Sequence, residues 1–391
     1  VRPGSLLDLN APHGGNLDRL ARAAGRPADE IVDFSANINP LGPPEWLRPV
    51  ISSYVSSLVH YPDPDCNALV EAAALHYGVP GSEILAGNGS SQIIYCLPRI
   101  VLAKRALIPV PSYSDYALAC ELAGLSVEKL PMREDQGFAL DAVEFEAHIE
   151  SGDIVFIGQP NNPTGLAVET PQLRDLARRH LDVTFVIDEA FADFICGFDS
   201  ITVDRPANVV ALCSLTKFYA IPGLRLGCAV ADKELVERAR RLMPAWSVNT
   251  LAQAVGAKAL GDKEYAANTR QFVKQQREAL LSDLAHVPGI AAYDGAANFI
   301  LCKLCGPDLD ASALAGRMLQ DGIAIRVCDN FDGLDRRFFR VAVRSESENA
   351  LLIRSLKSAL GLAAGSAVVR PKPAIMFQGT SSNAGKSVLT T

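Results

Sequence analysis

Four short apolar runs constrain this chain more than any other feature, because each stops at a turn before it can become a helix. They are ALIPVPSY (106–113), DIVFIGQPNNPTG (153–165), VTFVIDEAF (183–191) and VVALCSLTK (209–217), with helix-like patterns between them. Short apolar runs alternating with helical patterns read as βα units around a mostly parallel sheet, an α/β fold. In such sheets ligands collect outside the carboxyl ends of the strands. The unusual polar residues of this sequence stand at those ends: Asn162, Asp188, and Ser214 followed by Lys217.

A second region follows. EYAANTRQFVKQQREALLSDL (264–284) has the periodicity of a long helix and marks a border. After it come AANFILCKL, GIAIRV and FFRVAVRS as short strands, with two helical patterns. The expectation is a large domain over residues 1–263 and a smaller α+β domain over 264–360. GLAAGSAVVRPKP (361–373) is rich in Gly, Ala and Pro and reads as a linker to a last segment, 374–391. A chain of 391 residues is long enough for a core in two parts.

Composition removes several classes. The net charge of -7 gives no basic footprint, so nucleic acid is not an expected partner. No run approaches the roughly 18 apolar residues that span a bilayer, so no membrane is expected either. VRPGSLLDLNAPHGG at the N-terminus lacks the apolar core of a signal peptide. Nine cysteines at irregular spacing point to reduced thiols and a cytoplasmic protein. Cys302 and Cys305 have CxxC spacing but no second pair to complete a zinc site, so no metal is expected. They read as a strand end holding two small hydrophobes.

The polar strand ends carry the chemistry. LAGNGSSQIIYCLPRIV turns at Gly87 and Gly89 and then presents Ser90 and Ser91 before an apolar helical run. Free amides and two hydroxyls at a helix start suit a phosphate, although the same residues also make a plain helix cap. NNPTG (161–165) is a good turn in its own right. Asp188 ends a buried run, and a buried acid needs a partner. A protonated ring nitrogen of a cofactor would serve, and the acid would keep it charged. Lys217 lies among Leu215, Phe218, Tyr219 and Ile221, surroundings that lower an amine's pKa enough for imine formation. Ser214 and Arg225 are residue types that could bind phosphate oxygens, the arginine in a bidentate way.

Singly these are ordinary residues; in this order they describe a lysine-held pyridoxal phosphate, and the chain resembles the fold-type I pyridoxal-phosphate enzymes of the aspartate aminotransferase superfamily. The resemblance covers roughly residues 5–360. It implies that Lys217 forms the Schiff base with pyridoxal 5'-phosphate, that Asp188 pairs with the pyridinium, and that Asn162 bonds the ring hydroxyl. It further implies that Tyr113 of PSYSDY stacks on the ring while Ser90, Ser91, Ser214 and Arg225 hold the phosphate. Tyr61 of HYPDPD would reach the cofactor of a partner subunit, which implies a homodimer. One departure stands out. Many relatives read D-x-A-Y where this chain has DEAF, so Phe191 cannot donate the tyrosine's hydrogen bond and the imine should titrate differently.

Within that superfamily two families compete, both acting on phosphorylated amines: histidinol-phosphate aminotransferases and the threonine-phosphate decarboxylases of cobalamin synthesis. HGGN (13–16), DFSANINPLG (33–42), DEAF, SLTKFYAIPGLRLG (214–227) and WSVN (246–249) resemble the decarboxylases. So does RVCDNFDGLDRRFFRVAVRS. The resemblance implies decarboxylation of O-phospho-L-threonine to aminopropanol phosphate and carbon dioxide. Arg340 is similar to the arginine that takes the substrate's α-carboxylate, and Arg326, with His13, Gly14 and Asn37, to the group that contacts threonine phosphate. By residue type alone, Arg336, Arg337, Arg340 and Arg344 could equally form a basic surface. A transcription regulator on the same fold would need a DNA-binding module, and only about ten residues precede HGGN.

AIMFQGTSSNAGKSVLTT (374–391) reads as a strand turning into Gly-x5-Gly-Lys-Ser, one residue longer than a standard phosphate loop. It is similar to the opening of cobyric acid synthases, enzymes of the same pathway. No room follows for the remaining parts of a nucleotide site, so the expectation is a fusion remnant or a fragment of a bifunctional protein, without nucleotide hydrolysis.

Overall fold

The structure, a computed structural model, describes residues 14–362. The four apolar runs form adjacent or near-adjacent strands of a seven-stranded sheet. Its strands are β1 (Ile84–Gly87), β2 (Arg105–Val110), β3 (Ser126–Pro131), β4 (Ile154–Gly158), β5 (Thr184–Asp188), β6 (Val209–Ser214) and β7 (Gly227–Val230). They lie in the order β1-β7-β6-β5-β4-β2-β3, and β7 alone runs against the rest. The continuous apolar runs are explained by burial on both faces. Val155, Ile157, Phe185 and Ile187 enter one core, while Ile154, Phe156 and Val186 enter the other. Alternation along each strand thus feeds two helix-covered faces.

A smaller antiparallel sheet follows, made of β8 (Ile290–Tyr293), β9 (Phe299–Leu304), β10 (Arg326–Val327) and β11 (Phe338–Ala342). The fold is therefore the expected α/β arrangement of a mostly parallel sheet with a second, α+β part. The long helix Lys263–Ala285 joins them. The Asp262 side chain caps its N-terminus by accepting the Tyr265 N–H, and its buried face recurs at Ala266, Thr269, Val273, Gln276, Leu280 and Leu284. The first turns of that face belong to the core of the large sheet, the last to the core of the small one.

The N-terminal stretch belongs to neither sheet alone. Val32–Asp33 pairs in parallel with Ile323–Ala324, and Phe34 is buried in the smaller core. Five residues later Asn39 reaches the large unit, where its N–H donates to the Lys217 carbonyl at 3.0 Å and its amide to the Phe218 carbonyl at 2.7 Å. Residues 33–39 are thus strung between the two cores. Cys302 is buried within β9, and Cys305 lies exposed just past its end. The linker and the last segment, from residue 363 on, lie outside the described residues. Among the described residues, no helix is long and apolar enough to cross a membrane.

Candidate active site

The carboxyl ends of β4, β5 and β6 open into a cavity of about 530 Å³. Its lining includes Lys217, Arg225, Arg326 and Arg340 against Asp33, Asp115 and Asp188, a cationic balance inside a chain of net charge -7. Two walls face each other across it.

The first wall is the edge of the large sheet. Asp188 is fixed at both oxygens: Oδ2 accepts the Tyr116 hydroxyl at 2.6 Å and Oδ1 accepts the Ala190 N–H at 3.0 Å. Lys217 rises from the short helical turn Leu215–Phe218, with Nζ 3.3 Å from Ser214 Oγ and 5.3 Å from the centre of the Phe191 ring. Burial pushes its amine pKa down; Asp188 opposes that shift, while Arg225 and Arg340 reinforce it. Phe191 stands edge-on to Phe299, with centroids 5.0 Å apart, and carries no hydroxyl into the cavity.

Beside Lys217 the backbone forms an anion cradle. Helix Ser90–Ile100 begins at the cavity with Gly89 as its N-cap and no side chain capping it, and a helix start of this kind suits an anion. The approach is too close for any side chain. A Cβ on Gly227 would stand 2.4 Å from the Ser90 nitrogen, and one on Gly89 would stand 2.7 Å from Arg225 Nη2. Arg225 itself holds a left-handed backbone, φ 57°. Ser90, Ser91, Ser214 and Arg225 all line this corner. Tyr113 lines the cavity above it, its hydroxyl donating to Asp115 Oδ2 at 2.8 Å.

The second wall comes from the small sheet and the N-terminal stretch. Arg326 and Arg340 are register partners on antiparallel strands, and both are buried, with 4% and 5% of their surface exposed. Like charges opposite each other destabilise a sheet unless something negative joins them. Arg340 donates to Asn162 Oδ1 and to the Ser35 carbonyl, lies 5.0 Å over the Phe299 ring, and is pushed down to about 10, chiefly by burial. Arg326 donates to the Val327 carbonyl and to Asn330 Oδ1 and lies 5.4 Å over the Phe331 ring. Burial lowers its pKa too. Buried side-chain atoms without a hydrogen-bond partner include Asn37 Oδ1 and Arg340 Nε. Gly14 closes this wall at the end of the described chain, where a Cβ would meet the Ser35 carbonyl oxygen at 2.3 Å.

Of the residues singled out from the sequence, the structure brings Gly14, Asn37, Ser90, Ser91, Tyr113, Asn162, Asp188, Ser214, Lys217, Arg225, Arg326 and Arg340 to one cavity. Tyr61 is not among them. It is 79% exposed and stacks on Trp246, centroids 4.7 Å apart. His13 lies outside the described residues. Sequence reasoning missed Tyr116, three positions after Tyr113, and Asn298, whose amide donates to the Asn37 carbonyl at 3.0 Å. The repeated tyrosine in PSYSDY was the available signal for the first; nothing local marks the second.

An amine beside a fixed carboxylate and an anion cradle, at the strand ends of this sheet, defines a class of protein: the family profile described as aminotransferase class I and II matches residues 29–356, and the chain belongs to that family. Particular relatives follow. The chain is 38% identical over 358 residues to the threonine-phosphate decarboxylase of Salmonella typhimurium, covering 90% of this chain and 97% of that one. It is also 38% identical over 388 residues to the adenosylcobalamin biosynthesis bifunctional protein CobDQ of Leptospira interrogans, covering 98% of this chain. There it spans only 45% of the relative's length. Among solved structures, the L-threonine-O-3-phosphate decarboxylase of Porphyromonas gingivalis superposes with a TM-score of 0.76 at 27% identity, over 85% of this chain and all of that one. The histidinol-phosphate aminotransferase of Clostridium acetobutylicum gives 0.79 at 29% identity, over 84% and 99%.

Proposed function

We propose that this chain decarboxylates O-phospho-L-threonine to aminopropanol phosphate in cobalamin biosynthesis, using pyridoxal 5'-phosphate. The observation that carries the substrate is the Arg326–Arg340 pair, two buried cations in register that call for a doubly anionic ligand. The 38% identity to the Salmonella decarboxylase over nearly its whole length supports the same reading.

The first wall fits the cofactor. The glycine-lined cradle suits its phosphate, Lys217 offers the amine, and Asp188 offers a fixed carboxylate to the ring nitrogen. Asn162 spends its Oδ1 on Arg340, which leaves its amide to donate to the ring oxygen. Tyr113 covers the ring. Bound there, pyridoxal phosphate supplies an electron sink for the pair left when the Cα–carboxylate bond breaks. Asp188 keeps the proton on the ring nitrogen that makes the sink effective. Arg340 holds the substrate carboxylate, and Arg326 with Asn37, Gly14 and His13 holds the phosphate. Gripping both ends fixes which bond at Cα stands ready to break, so binding far from that bond serves orientation. Lys217 Nζ then carries the proton that replaces the carboxylate at Cα.

The reading includes a cytoplasmic homodimer. Val55, Leu58, Val59 and Tyr61 are each more than half exposed on one short stretch, an apolar face of the kind a second copy covers. Tyr61 would then reach the partner's cofactor. It also includes a division of the chain near Lys263, with the smaller unit ending near Leu360, and a segment 374–391 left from a fusion.

The test supplies purified protein with pyridoxal phosphate and O-phospho-L-threonine, without a keto acid. Carbon dioxide release over many turnovers is the expected result. No release, with turnover of histidinol phosphate once 2-oxoglutarate is added, would make the protein an aminotransferase.

A further inference from the structure

Asp188 owes its position to a side chain that the proposed chemistry does not otherwise use. Tyr116 is the second residue of the helix Asp115–Leu122, and only 2% of it is exposed. Its ring is clamped, stacked on Phe156 at 5.2 Å and 20° and edge-on to Tyr113 at 5.5 Å and 82°. The hydroxyl can therefore point to one place, and it meets Asp188 Oδ2 at 2.6 Å. A bond this short between a phenol and a carboxylate is charge-assisted and fixes the direction in which the carboxylate points. Without it, Asp188 would keep only the Ala190 N–H, a single contact about which the carboxylate can turn.

We infer that Tyr116 is a positioning residue that holds Asp188 as an oriented carboxylate, so that the proton they both influence stays on the cofactor's ring nitrogen. The inference rests on the reading of the site as a pyridoxal phosphate site. The other titratable groups near Asp188 do not substitute for Tyr116. Lys217 acts on it through space, Glu189 faces away to Ser200 and the Ile201 N–H, and the Tyr113 hydroxyl is engaged with Asp115. Tyr116 also remains a donor: burial, followed by the charge of Asp188, pushes its pKa well above that of a free tyrosine. The plainer account is that a buried tyrosine has merely found an acceptor for its hydroxyl. The two accounts differ in what the ring nitrogen experiences.

The experiment loads the holoenzyme with pyridoxal phosphate labelled with ¹⁵N in the ring and compares the nitrogen resonance in the unaltered chain, Tyr116→Phe and Asp188→Asn. Tyr116→Phe keeps the ring between Phe156 and Tyr113 and removes only the hydroxyl. Its resonance is expected to move from the protonated position toward that of Asp188→Asn. A fall in kcat of about tenfold or more should accompany it, with KM within about twofold, as for one lost hydrogen bond to a charged group. 3-Fluorotyrosine at 116, a stronger donor that preserves the fold, should keep the protonated position. An unmoved resonance in Tyr116→Phe overturns the inference and leaves the function standing. If Tyr116→Phe does not fold, a fluorotyrosine protein with the resonance of Asp188→Asn overturns it instead. An unaltered chain that binds no labelled cofactor overturns both the inference and the function.

Discussion

The two walls of the cavity are built on opposite principles. On the large sheet nearly every polar group already has a protein partner: Asp188 is held at both oxygens, Tyr113 by Asp115, Lys217 by Ser214. On the second wall two arginines are buried opposite each other and over aromatic faces, and although both donate to protein oxygens, Arg340 Nε and, on the N-terminal stretch, Asn37 Oδ1 are without partners. A wall whose groups are satisfied in advance suits a resident group that must be held in one pose. A wall under electrostatic tension gains most from an anion that arrives and leaves. The difference separates what the site keeps from what it turns over.

The sharpest break is Lys217→Ala, which removes the one amine on the first wall. Activity should fall by roughly a thousandfold or more, and the visible absorbance of bound pyridoxal phosphate should lose its imine character. Activity within an order of magnitude of the unaltered chain would place the chemistry elsewhere. On the second wall, Arg326→Ala should lower kcat/KM for threonine phosphate by about 10- to 100-fold, the worth of a charge-assisted hydrogen bond. It should do far less to an unphosphorylated amino acid, and equal losses for the two would remove Arg326 from the phosphate. Gly227→Ala tests the cradle, where a Cβ 2.4 Å from the Ser90 nitrogen forces backbone to move. About 1–3 kcal/mol of stability should go, read as a lower Tm, together with weaker cofactor binding. The smallest effect is a pH shift. Only the neutral amine attacks the cofactor, so capture by the apoenzyme should speed up as pH rises through the Lys217 pKa. Burial depresses that pKa, so the rate should level off below 10.5, the ordinary lysine value. Asp188 raises the pKa, so Asp188→Asn should move the plateau lower still.

Much of the first wall was legible because its residues end buried runs. Asp188 and Ser214 close strands whose other members are apolar, and a polar residue there needs a reason. The second wall was legible only by resemblance. Arg336, Arg337, Arg340 and Arg344 look alike in sequence, and register sorts them. Arg337 is tied to Asp335 at 2.6 Å, Arg344 to Glu348 at 2.7 Å, and Arg340 faces Arg326 across the ladder. That pairing depends on how β10 and β11 align, which periodicity does not fix. Tyr116 escaped for another reason: its repeat of Tyr113 in PSYSDY is visible in the sequence, but its contact with Asp188 exists only because β5 lies beside the helix. The placement of residues 33–39 between both cores was equally hidden, since it needs contacts about 180 to 300 positions away.

The helix Lys263–Ala285 gives the molecule a mechanical property of its own. At about 1.5 Å per residue it is a rod roughly 34 Å long, seated in one core at its start and in the other at its end. Neither half of the chain can melt without withdrawing support from that shared rod. Cooperativity is thereby extended across the cavity, and the two walls are held to one stability rather than two.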